Sequence, residues 1–153
     1  MAATHFSGPV VSTNGFQAGA SSYESIITTK ALVAADDGKT FGLNLAGGFT
    51  VTLPSVTDGV ATAGMTFTFR VETDPTTAYI ITEGTSDANI IVGGFSSAEL
   101  TDAAVAASTT GATNINFVAS SSIGGDTVTL TCNGTNWFIS NGWTSLQASV
   151  TIT

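Results

Sequence analysis

Along much of the chain, apolar and polar residues alternate one by one. The clearest run is Met65-Thr66-Phe67-Thr68-Phe69-Arg70-Val71-Glu72. Met65, Phe67, Phe69 and Val71 fall on one face, and Thr66, Thr68, Arg70 and Glu72 on the other. A period of two is that of a strand with one buried face. β-Branched and aromatic side chains suit its pleated surface. Asp126 to Cys132 alternates in the same way, with Thr127, Thr129 and Thr131 outward. So does Phe49-Thr50-Val51-Thr52-Leu53, until Pro54 ends it by lacking a ladder donor. The pattern predicts further strands over residues 24–29, 30–34, 40–45, 79–82, 89–92, 114–118, 137–140 and 149–153.

Turn residues punctuate these runs: Asp36-Asp37-Gly38, Gly47-Gly48, Asp58-Gly59, Asp74-Pro75, Gly93-Gly94, Gly124-Gly125-Asp126 and Asn133-Gly134. Asn133-Gly134 is expected at the centre of a type I′ hairpin turn, where both positions take positive φ. Many short strands between Gly-rich turns predict an all-β domain, a β-sandwich or jelly roll. Residues 96–110 break the alternation. They read either as a short helical turn, capped by Ser96 or Ser97 with Glu99 in its first turn, or as a long connection across the sandwich.

The beginning of the chain differs from the rest. In Thr4-His5-Phe6-Ser7-Gly8-Pro9-Val10-Val11-Ser12, Pro9 fixes its own φ and pushes Gly8 toward extended backbone. The stretch lacks the positive start and long apolar run of an export signal. It reads as an extended arm with Phe6, Val10 and Val11 as apolar anchors. Residues 14–22, rich in Gly, Ala and Ser, read as a hinge. The expected division is an arm and hinge over 1–20 and a single β domain over 21–153.

Composition sharpens this picture. The chain has 153 residues, 42% of them hydrophobic, enough for one domain with a real core. Only 9% are charged, against about 25% in ordinary proteins. Small uncharged residues over much of a surface suit an assembly in which copies touch without charge repulsion. The net charge is −8, and the bases Lys30, Lys39 and Arg70 are scattered. That argues against nucleic acid and anionic membranes as partners. No stretch approaches the ~18 apolar residues of a membrane span.

Candidate chemistry is sparse. His5 is the only histidine, so neither a His-centred metal cluster nor a catalytic triad has support, and it reads as a contact residue of the arm. Asp36, Asp37, Glu72, Asp74 and Asp126 are the carboxylates available for a hydrolytic pair. Most sit beside Gly or Pro, where turn formation explains them. Asp36-Asp37-Gly38-Lys39 lacks the spacing of a calcium loop. Asn133-Gly134-Thr135 matches a glycosylation acceptor but reads better as the hairpin. Cys132 lies on the Val128/Leu130 side of its strand and reads as a buried small hydrophobe. Trp137 is expected in the core, while Trp143 is open to core or interface. No enzyme activity and no cofactor is expected.

The opening phrase, followed by Ser12 and Asn14-Gly15-Phe16, resembles the start of small structural proteins of tailed-bacteriophage virions. Phe67-Thr68-Phe69, Thr76-Thr77-Ala78-Tyr79-Ile80-Ile81, Gly125-Asp126-Thr127-Val128-Thr129-Leu130 and Asn133-Gly134-Thr135-Asn136-Trp137-Phe138 are similar to later parts of the same group. Its members include head decoration, or cement, proteins. The resemblance implies a β-rich protein made in the host cytoplasm and placed on the outer surface of the capsid. It implies the major capsid protein as partner. Copies of the chain itself are also expected, as a trimer, since capsid lattices offer threefold and quasi-threefold positions, or, second, as a dimer. His5, Phe6, Pro9, Val10, Val11, Phe16 and Trp143 are the expected contact residues. The alternative is a receptor- or carbohydrate-binding module of a tail fibre or spike, using Trp143, Tyr79 or residues 96–110.

Overall fold

The computed structural model describes residues 22–99 and 106–153, so the expected arm and most of the hinge lie outside the described residues. The strands are β1 (Tyr23–Ile26), β2 (Lys30–Ala31), β3 (Thr40–Leu43), β4 (Thr50–Thr52), β5 (Thr66–Val71), β6 (Tyr79–Thr82) and β7 (Ile91–Gly94). There follow β8 (Ser96–Ser97), β9 (Ala107–Ala112), β10 (Asn114–Phe117), β11 (Thr127–Cys132), β12 (Trp137–Thr144) and β13 (Val150–Ile152). Two single 3-10 turns, Ala34–Asp36 and Gln147–Ser149, are the only helical pieces among the described residues. The protein is all-β, as the alternation predicts.

The strands form two mixed sheets. One has the order β1-β3-β5-β11-β12-β7-β9, with β8 also on β12, and the other the order β13-β10-β6-β4-β2. From β1 to β6 the chain changes sheet at every strand. Neighbours within β1, β3, β5 and within β2, β4, β6 run parallel. A parallel neighbour needs a long crossover, and the excursion through the opposite sheet supplies it. The later pairs β5–β11, β11–β12, β6–β10 and β10–β13 are antiparallel.

Side chains from both sheets meet in one hydrophobic cluster. Phe41, Leu43, Phe67, Phe69, Val128, Leu130 and Trp137 come from the first sheet, and Val51, Tyr79, Ile81, Ile115, Phe117 and Val150 from the second. Phe41 stacks on Phe69 with ring centres 5.7 Å apart, and Phe67 packs on Trp137 at 5.5 Å. Cys132 is buried here too, and burial pushes its thiol pKa up.

Several local expectations shift. The strand over 30–34 shortens to β2, because the chain enters a 3-10 turn at Ala34 and the Asp36 carboxylate accepts the Val33 N–H at 3.2 Å. The β11–β12 hairpin forms, but Gly134 alone of the Asn-Gly pair has positive φ, at 91°. Asn133 instead pairs with Asn136, and its side chain accepts the N–H groups of Thr135 and Asn136. The loop is thus Gly134-Thr135, one residue later than expected, with Gly in the first position. Ser96 and Ser97 are extended in β8 and do not cap a helix, although the Ser97 hydroxyl accepts the Glu99 N–H at 3.1 Å. The polar tail expected to cross the molecule is strand β9 at a sheet edge. The rest of that segment, 100–105, lies outside the described residues.

Strand β12 runs on past Ser140 to Thr144. Thr129 pairs with Asn141 and Leu130 with Ile139, which leaves Ser140 as an extra, unpaired residue. Such a bulge reverses the phase of the alternation. Trp137 therefore points into the core, fully buried, while Trp143, of the same parity, points out and is 39% exposed.

Candidate functional site: the outer faces of the two sheets

The outward face of the eight-stranded sheet is built by register. One row across it reads Ser25, Gly42, Arg70, Thr127, Trp143, Ser96, and the adjacent row Tyr23, Thr40, Thr68, Thr129, Asn141. Threonines fill its centre. The hydroxyls of Thr68 and Thr129 lie 3.0 Å apart, and those of Thr131 and Ser140 3.1 Å. Among the described residues the exposed aromatic side chains are Tyr23, Phe138 and Trp143. Phe138 pairs with outward-facing Thr131, so all three rings stand on this one face.

At the β1 edge a polar cluster crosses over Gly42. The Tyr23 hydroxyl donates to Glu72 Oε1, and the Ser25 hydroxyl donates to Glu72 Oε2. Asn44 Nδ2 donates to Ser25 Oγ at 3.2 Å. A Cβ on Gly42 would overlap the Glu72 carboxylate and the Tyr23 hydroxyl, so only glycine leaves room for the cluster. The Ser25 and Tyr23 hydroxyls hold the exposed Glu72 carboxyl below its ordinary pKa, outweighing a small loss of hydration, with Arg70 adding to the effect. Beside it lies a shallow depression of about 420 Å³, lined by Tyr23, Arg70, Val71, Glu72, Gly124 and Gly125.

The outward face of the five-stranded sheet is different. Its rows are Ala31, Thr52, Thr82, Asn114 and Thr50, Ile80, Asn116, Thr151. No charged side chain stands in either row. Asn116 Nδ2 donates to the hydroxyls of Thr151 and Thr153 at 3.2 and 3.3 Å.

The charges lie elsewhere. Glu24 pairs with Lys30 at 2.6 Å and Lys39 at 3.4 Å, and Lys39 pairs with Asp36 at 2.6 Å. This network joins β1 and β2, the strands at which the two sheets end. Other carboxylates tie loops by accepting backbone N–H groups. Asp126 accepts from Ser145 and Ile123, Glu83 from Asn89 and Ile90, Asp37 from Thr66, Asp74 from Gly124 and Glu99 from Gln147. Asp87 accepts from Val56, Thr57 and the Ser55 hydroxyl. The acids considered for a hydrolytic pair are thus engaged in loop or strand contacts. Among the described residues, no group of three or more His, Cys, Asp or Glu side chains could hold a metal ion.

These carboxylates make acid stability a test. Burial opposes ionisation of Asp87, but the Thr57 and Val56 N–H groups and the Thr57 and Ser55 hydroxyls outweigh it and lower its pKa. Burial likewise opposes ionisation of Asp36, yet Lys39 and the Val33 N–H lower its pKa. A carboxylate with a lowered folded pKa stabilises the fold fully above the unfolded value, near ~4, and loses that contribution as pH falls through the folded value. The thermal midpoint should fall below about pH 4, and Asp87→Asn should lower the midpoint at pH 7 while shrinking the acid-side fall. A midpoint that stays level down to about pH 2 contradicts these assignments.

The sequence-predicted contact residues fare unequally. Trp143 is exposed on the eight-stranded sheet. Tyr79, a candidate binding residue, is instead 1% exposed, and its hydroxyl donates to Thr73 O at 2.9 Å and accepts the Leu45 N–H at 3.0 Å. It cannot line a binding face. His5, Phe6, Pro9, Val10, Val11 and Phe16 lie outside the described residues. Reading the sequence missed Tyr23, Gly42 and Arg70 as neighbours, because only strand register brings them together. Comparison with protein-family models and with curated proteins finds no match for the chain.

Proposed function

We propose that this chain is a structural protein of a tailed-phage virion that decorates the outer surface of the head and reinforces contacts between capsomers. The observation that carries the reading is the outer face of the five-stranded sheet, whose two rows hold no charge in a chain of net charge −8. A face of Thr, Asn, Ala and Ile can be covered without desolvating an ion. The body is a two-layer sandwich in this reading. Its parallel pairs favour that reading over a jelly roll, whose sheets are antiparallel.

The face is flat and its side chains are short, so one copy would hold weakly. Residues 2–12 add a second attachment by laying extended backbone on a capsid subunit or a neighbouring copy. Joining copies into a closed trimer makes each later contact effectively intramolecular, which raises avidity by about 10²–10⁴. A clamp of this kind across a capsomer seam opposes the outward pressure of packaged DNA.

The test mixes purified protein with expanded shells that lack it and measures bound copies by gel densitometry. The full chain should approach saturation. Deletion of residues 2–12 should weaken binding by about 100-fold or more, and Asn116→Lys, which places a cation in the middle of the uncharged face, by about tenfold. Unchanged occupancy with the deletion overturns the role of the leading segment. Unchanged occupancy with the lysine overturns the role of the five-stranded sheet.

A further inference from the structure

We propose that the outer face of the eight-stranded sheet carries a binding site for a neutral oligosaccharide, centred on Arg70 and Glu72 and flanked by the rings of Tyr23 and Trp143. Sugar binding at this face is independent of attachment to a shell, which the opposite sheet and the leading segment would provide.

Most of the large aromatics are in the core, while Phe138 is exposed on this face, on the same strand as Trp143, but has no polar edge. Phe41, Phe67, Phe69, Phe117, Tyr79 and Trp137 are all 0–1% exposed. Tyr23 and Trp143 are 41% and 39% exposed on one sheet face. Trp143 stands there only because the Ser140 bulge reverses the phase of β12. Exposed flat rings with a polar edge suit ligands that present an apolar face and a polar rim. Pyranose rings do so, with C–H groups on one face and hydroxyls around the edge.

The polar groups between the rings select the ligand's charge. Arg70 points outward and is in no ion pair among the described residues. Its guanidinium supplies donors only, and the Glu72 carboxylate supplies acceptors only. Each Glu72 oxygen already accepts one hydroxyl and has further capacity. Neighbouring hydroxyls of a sugar can accept from the first and donate to the second. The two charges cancel, which matches an uncharged ligand. A polyanion would meet Glu72 and the net charge of −8.

Spacing selects the ligand's length. Trp143 is two strands from Arg70 and four from Tyr23 along the sheet order, or about 10 and 19 Å at the usual strand separation. Thr127 and Thr129 floor the gap with short side chains, and the depression beside Arg70 widens it. A single sugar cannot reach both rings, whereas an extended chain of several can.

The test titrates the full-length protein with neutral gluco-, manno- and galacto-configured oligosaccharides of four to six rings, with a polyuronate of equal length as control. Trp137 is buried and Trp143 exposed, so a change in tryptophan emission on binding reports Trp143. At least one neutral series should bind with that change. Arg70→Ala and Trp143→Ala should each weaken binding, measured by calorimetry, at least tenfold with the thermal midpoint unchanged, and Asn116→Lys on the opposite sheet should bind normally. Four results would overturn the proposal: no neutral series binding at millimolar concentration, tighter binding of the polyuronate, wild-type affinity in both alanine variants, or self-association abolished by Trp143→Ala. The last would make the face an interface between copies. Loss of shell binding by the deletion variant with sugar binding intact would leave this proposal standing.

Discussion

Phe67→Ala is expected to destabilise the fold by about 3–5 kcal/mol. Phe67 is fully buried in the middle of β5. Its ring packs against Trp137 at 5.5 Å and Phe41 at 6.3 Å, and its backbone pairs with Leu130 on β11. Neighbours on three strands cannot all close on the space an alanine leaves, because each is held by its own ladder. The loss thus combines transfer energy with a residual cavity. Urea denaturation measures it, with Thr68→Ala as control. Thr68 points outward, and its truncation should cost under about 1 kcal/mol. A Phe67→Ala loss below about 1 kcal/mol would mean that the two faces of β5 are reversed.

Asp126→Ala should cost about 2–4 kcal/mol. The side chain is fully buried. Its Oδ1 accepts the Ser145 N–H at 2.7 Å and its Oδ2 the Ile123 N–H at 3.1 Å. The Asp126 carbonyl accepts from Val71 at 2.9 Å. One residue thus ties the end of β5, the turn before β11 and the end of β12. Alanine leaves two partly buried donors without their acceptor, and an unmade hydrogen bond costs more than a made one contributes. Asparagine recovers only one of the two, since its amide nitrogen would face an N–H. Equal urea midpoints for Asp126→Ala and the native chain would show that water satisfies both donors.

Burial was the most legible part of the sequence, since a strand with one covered face writes its orientation into every second residue. The inward sets of β5 and β11, the burial of Cys132 and the core position of Trp137 all follow from that rule. Trp143 escapes it because the rule holds only while the phase is kept, and Ser140 breaks the phase. Strand β9 escapes it too. It lies at a sheet edge with most of its residues in contact with solvent, so Ala107–Ala112 shows no alternation to read. Pairing direction leaves no local mark, which is why the parallel series β1, β3, β5 was not foreseeable.

The acids were partly legible. Asp36, Asp74 and Asp126 stand beside turn residues, and turns are where they act. Their partners were not, since Asp74 reaches Gly124 and Asp87 reaches Val56 and Thr57 only after the strands have paired. The same holds for Tyr23 and Glu72, which are 49 residues apart in the chain.

The proposed docking through an uncharged sheet face is tested most directly by an electron-microscopy map of virus heads mixed with this protein and purified. The expected density lies outside the shell at copy numbers comparable to the capsid subunit. The five-stranded sheet should face inward, the leading segment should continue onto a neighbour, and Tyr23 and Trp143 should face solvent. Finding the protein in few copies on a tail appendage, or with the eight-stranded sheet pressed against the shell, would contradict it.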